Sequence, residues 1–121
     1  MKSVQLDLIS YDMLSGMTPM EKIRMILDRV RDGAVVILER GLTPEEEAKL
    51  IEYTMTEIEE DFPGIEIESY PSEAKRSWIG RILGKGIVHQ PRLTIIGPAE
   101  QLKTTSKDRD FISAVISMKD E

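Results

Sequence analysis

Two copies of one helix-start signal, Thr18-Pro19-Met20-Glu21 and Thr43-Pro44-Glu45-Glu46, restrict the fold of this chain more than any other feature. In each, the threonine hydroxyl can accept a hydrogen bond from a main-chain amide, and proline suits the first helical position. The glutamate three residues after the threonine can reach back to the threonine amide and close a capping box. After the first start, Met20, Ile23, Ile26, Leu27 and Val30 recur at helical spacing, and Asp32-Gly33 stops the helix. The second start opens a helix that runs to about Glu60, with Leu50, Ile51, Met55 and Ile58 on its buried stripe.

Strand patterns surround these helices. Val4–Ile9 alternates, with Val4, Leu6 and Leu8 on one side and Gln5, Asp7 and Ile9 on the other. Tyr11–Met17 reads as a linker. Ala34–Leu38 is a continuous apolar run that suits a central strand covered on both faces. Ile65–Tyr70 alternates strictly, placing isoleucines inside and Glu66 and Glu68 outside. Leu93–Ile96 and Phe111–Met118 supply two more strands, separated by a polar connection over Gln101–Asp110. The pattern predicts one α/β domain over residues 1–121 in β-α-β-α-β-β-β order. The expected architecture is a two-layer sandwich: a mixed, mainly parallel five-stranded sheet with both helices on one face and the other face at least partly open. Residues 71–92 form an irregular basic insertion, with a short amphipathic helix expected around Ser77–Leu83.

Cysteine is absent, which removes thiolate metal sites, disulfides and cysteine nucleophiles. No apolar run approaches the roughly 20 residues that span a bilayer, and the N-terminus does not read as a secretory signal. The expectation is a soluble intracellular protein. Charge is unevenly distributed. Residues 39–73 carry twelve acidic side chains against Arg40 and Lys49, whereas residues 74–107 carry seven basic ones against Glu100. Such polarity steers encounters with partners but performs no chemistry itself.

Candidate reactive groups are sparse. Asp7, Glu39, Glu66 and Glu68 on predicted strands would form a divalent-ion site or a catalytic pair only if the fold brought them together. His89 has no acid or nucleophile near it in sequence, and no serine sits in a nucleophile elbow. No cofactor is expected. The second helix start does not suit phosphate, because Glu45, Glu46 and Glu47 crowd its positive end. The basic insertion is the more informative stretch. It holds Trp78, the one tryptophan, among cationic residues, and tryptophan and arginine are favoured at protein-binding hot spots. Arg76, Trp78, Arg81 and Ile82 are therefore the expected partner contacts. The same cations, over residues 75–107, would serve a nucleic-acid-associated factor; plain packing of Trp78 onto the core is the structural alternative.

Several phrases, VQLDLIS, EKIRMILDRVRDG, ILERGLTPEEEAKLIEYTM, FPGIEIESYP, TIIGPAEQLK and ISAV, resemble the archaeal OapB/ArvB family, named for origin-associated protein B and archaeal vesiculation protein B. The resemblance runs from Val4 to Met118, outside Ser72–Pro91. It implies an archaeal cytoplasmic protein encoded beside a small Ras- or Era-like GTPase and a zinc-ribbon protein, in a cluster linked to replication origins and extracellular vesicle budding. It supplies no activity and no catalytic residues. The resulting expectation is a non-enzymatic accessory protein that binds or modulates the GTPase, peripheral to the membrane through a partner. A homodimer through an exposed sheet edge is a further expectation.

Overall fold

Thr18 and Thr43 each close a capping box. The hydroxyls accept from the Glu21 and Glu46 amides at 3.2 Å, and the glutamates accept from the threonine amides at 3.3 and 3.0 Å. The computed structural model describes residues 3–70 and 92–118. Within them the chain runs β1 (Leu6–Ile9), α1 (Tyr11–Ser15), α2 (Pro19–Arg31), β2 (Val35–Leu38) and α3 (Pro44–Thr56). It continues through β3 (Ile65–Ser69), β4 (Thr94–Pro98), β5 (Leu102–Lys107) and β6 (Ile112–Ile116). Residues 71–91, all of the basic insertion but Arg92 and including its expected short helix, lie outside the described residues.

The sheets differ from the sequence expectation. One sheet has the order β1-β2-β4-β3, in which β1 and β2 are parallel and the other two pairings antiparallel. β5 and β6 form a second, two-stranded antiparallel sheet. The mainly parallel five-stranded sheet is thus corrected to three helices and six strands in two sheets among the described residues. Two physical causes account for it. The crossover from β2 through α3 leaves a strand-wide gap before β3, and β4 fills that gap antiparallel to both neighbours. The polar stretch expected as a connection instead pairs as β5, because its threonines suit a pleated, half-covered strand even without apolar periodicity.

α2 and α3 pack beside each other on one face of the four-stranded sheet. From α2, Ile23, Ile26, Leu27 and Val30 are buried; they meet Val36, Leu38 and Ile96 from the sheet and Leu50 from α3 in one core. Ile65 and Ile67 pack against the same core from β3. Met20, which shares the helical spacing of the buried α2 residues in the sequence, is exposed. The register puts Asp7 and Ile9 on this helix-covered face and turns Leu6 and Leu8 to the other. α3 ends at Thr56 rather than near Glu60, and it buries Glu46, Leu50 and Thr54 while Ile51, Met55 and Ile58 face solvent. The stretch expected as a linker contains α1, capped by Ser10, whose hydroxyl accepts from the Met13 amide at 3.2 Å.

The β5–β6 hairpin lies on the second face, so two layers become three over part of the sheet. Buried Leu102 covers Gly97, where an added Cβ would come within 3.2 Å of the Leu102 Cβ and 3.3 Å of a Val35 methyl. A register shift between Thr104 and Ser106 re-aims the end of β5. Lys107 Nζ thereby reaches Glu68 Oε2, 3.2 Å away.

Candidate interaction surface

The ends of four strands meet at one rim of the main sheet: the C-terminal ends of β1, β2 and β3 and the start of β4. Local hydrogen bonds fix this rim. The Tyr11 amide donates to Glu39 Oε1 at 3.2 Å, the Gly41 amide donates to the Arg92 carbonyl at 2.9 Å, and the Thr94 hydroxyl donates to that same carbonyl at 2.9 Å. Glycine is required at position 41, since a Cβ there would collide with the Thr94 Oγ1 and lie 2.9 Å from the Arg92 oxygen. Two arginine–tyrosine stacks flank this rim. Arg40 lies 4.6 Å over the Tyr11 ring, and Arg92 lies 4.6 Å over the Tyr70 ring. At the exposed Arg40–Tyr11 pair such a stack contributes about 0.5–1 kcal/mol. Each stack also places at the rim a guanidinium, a group whose donors match carboxylate or phosphate oxygens.

The expected partner contacts Arg76, Trp78, Arg81 and Ile82 lie outside the described residues, as does His89. Tyr70 and Arg92, the described residues that flank that stretch in sequence, are both at the rim. Neither stack was foreseen from sequence. Each joins residues more than twenty positions apart, and no local pattern marks such a pair.

The four strand carboxylates do not converge. Asp7 is on edge strand β1 and faces the helices, where Arg29 Nη1 donates to it at 2.9 Å and Gln5 Nε2 at 2.9 Å. The Gln5 and Arg29 hydrogen bonds hold its pKa below the ordinary aspartate value. Glu39 accepts from the Tyr11 amide at the rim. Glu66 and Glu68 belong to β3, the opposite edge, and point to the other face. Among the described residues no three His, Cys, Asp or Glu side chains are grouped to hold a metal ion.

A cleft of about 430 Å³ lies between β1 and the second half of α2, lined by Gln5, Asp7, Asp28, Arg29 and Asp32. Arg29 is committed to Asp7, and Asp28 is bonded by Arg24 at 2.7 Å. With both of those carboxylates paired, Asp32 leaves the lining one charge negative, beside the apolar Met25 and Ala34. Among the described residues no helix is long and apolar enough to cross a membrane.

No curated protein and no solved structure matches the chain. A family model described as Origin-associated protein OapB matches residues 14–117.

Proposed function

The chain belongs to the OapB family, and from that membership we propose that it is a non-enzymatic accessory protein that binds and modulates a small Ras- or Era-like GTPase. The observation that carries this reading is the strand-end rim, where the exposed Arg40 guanidinium lies 4.6 Å over the Tyr11 ring. Such a surface selects an acidic partner patch, and the basic stretch over residues 74–107 extends the same preference. Carboxylates elsewhere support the reading by what occupies them: Asp7, Glu46, Glu57 and Glu68 each hold a cation of the fold. A cytoplasmic location, and a link to vesicle formation through the partner, belong to the same proposal.

Mixing the purified chain with the neighbouring GTPase in its GDP and GTP-analogue forms tests it. Binding to one form, weakened about tenfold or more by Arg40→Glu, is the expected result. No binding and no change in hydrolysis with either form overturns it. Nucleic-acid association is the second reading, favoured by the exposed Arg40 guanidinium at the rim and the basic stretch over residues 75–107. It requires an affinity that falls steeply with salt, and a gel shift at low ionic strength decides it.

A further inference from the structure

β1 has a single strand neighbour among the described residues, and its main chain shows which groups remain at the edge. The Gln5 carbonyl accepts from the Val35 amide at 2.9 Å and the Ile9 carbonyl from the Glu39 amide at 3.0 Å. In a parallel ladder, alternate residues turn their main-chain groups to the same neighbour. Gln5, Asp7 and Ile9 therefore address β2, while Leu6 and Leu8 direct their amides and carbonyls outward. The same two leucines are 49% and 75% exposed. Edge strands are normally blunted by shortness, charge, proline or coverage. The opposite edge, β3, follows that rule with Glu66, Glu68 and the Lys107 contact. β1 is short and carries one inward-facing charge, Asp7, but its open face presents Leu6 and Leu8 with no charge between them.

We propose that the outer edge of β1 docks an extended segment of a partner protein in which basic and apolar side chains alternate. A strand added there takes the main-chain groups of Leu6 and Leu8 as its ladder. Its side chains then face two ways. On the open face they meet Leu6 and Leu8. On the helix face they enter the cleft, which holds Asp7, Asp28 and Asp32 against Arg29 and the Arg24 that bonds Asp28. Asp32 caps α2, so the negative end of that helix adds to the attraction for cations. A second copy of β1 is a poorer occupant. Its helix-side residue is Asp7, which would bring another carboxylate to the same acidic cleft. This surface is separate from the strand-end rim and does not depend on the GTPase reading.

The test uses the full chain and two synthetic peptides of about six residues, one alternating lysine with valine and one alternating glutamate with valine. Binding is followed by fluorescence anisotropy, and the edge by amide hydrogen exchange. The lysine peptide is expected to bind at least about tenfold more tightly than the glutamate peptide and to slow exchange at Leu6 and Leu8 by about tenfold or more. Leu8→Lys, at an exposed position, is expected to abolish binding while leaving the unfolding midpoint within about 2 °C. Asp32→Lys should weaken the lysine peptide and strengthen the glutamate one. Unchanged exchange at Leu6 and Leu8 with saturating lysine peptide overturns the proposal, and so does equal binding of the two peptides. A dimer whose Leu6 and Leu8 amides are already protected overturns it in favour of a second copy.

Discussion

Lys22 Nζ lies 2.8 Å from Glu46 Oε2, and the other oxygen of that carboxylate accepts from the Thr43 amide at 3.0 Å. One side chain thus closes the capping box of α3 and ties α3 to α2. Glu46→Gln keeps an oxygen for the Thr43 amide but loses the charge. It should cost about 1–3 kcal/mol in urea unfolding. The pair is also expected to show coupling of at least about 0.5 kcal/mol in a double-mutant cycle with Lys22→Met.

Acid should weaken this joint in a defined direction. Burial by itself would raise the Glu46 pKa, but Lys22 and the Thr43 bonds outweigh it and hold the group below the ordinary 4.5. Glu57 is lowered as well, chiefly by Arg24 and further by Arg31. The unfolded chain therefore takes up protons first as pH falls. The stabilisation is fully present above about pH 4.5 and disappears as pH drops through the lowered folded values. Urea midpoints measured from neutral to acid pH should decline below that point, and less steeply in Glu46→Gln. Identical slopes in the two proteins would show that Glu46 is not the linked group.

At the rim, Gly41→Ala should destabilise by about 1–3 kcal/mol because the new methyl meets the Thr94 hydroxyl and the Arg92 carbonyl. Adding Thr94→Ala should recover only part of that loss, since the Arg92 oxygen stays 2.9 Å away. Thermal unfolding of the single and double variants measures both effects.

The hairpin on the second face is held by Leu102 over Gly97 and Val35. Leu102→Ala should cost about 2–4 kcal/mol. Its earliest symptom should be faster amide exchange in β5 and β6, with the helix-covered core still protected.

α3 offers a direct contrast. Leu50 is fully buried and Met55 is 68% exposed. Leu50→Ala should lose about 2–5 kcal/mol, whereas Met55→Lys should stay within about 0.5 kcal/mol of the parent by calorimetry.

What the sequence revealed and what it hid divide along a physical line. The capping boxes, the apolar face of α2 from Ile23 to Val30, and the inward isoleucines of β3 depend on near neighbours, and all were legible. α3 was misread because its buried stripe contains Glu46 and Thr54, while the more apolar row of Ile51, Met55 and Ile58 faces water. Polarity at a buried position is tolerable there because Lys22 satisfies Glu46 and the Thr54 hydroxyl donates to the Leu50 carbonyl at 2.7 Å. β5 was missed for a related reason: only Leu102 of its six residues is buried. The arginine–tyrosine stacks at the rim were beyond reach, because they exist only once distant segments have been brought together.

The position of β4 has a consequence for synthesis on the ribosome. It is made after β3 yet lies between β2 and β3. Until Pro98 has left the exit tunnel, one side of the wholly apolar β2 has no strand to pair with. At roughly 5–20 residues per second, that interval lasts about one to six seconds after β3 emerges. Poor yield on overexpression would then reflect sticking of nascent chains, and slowing translation through residues 71–93 would aggravate it.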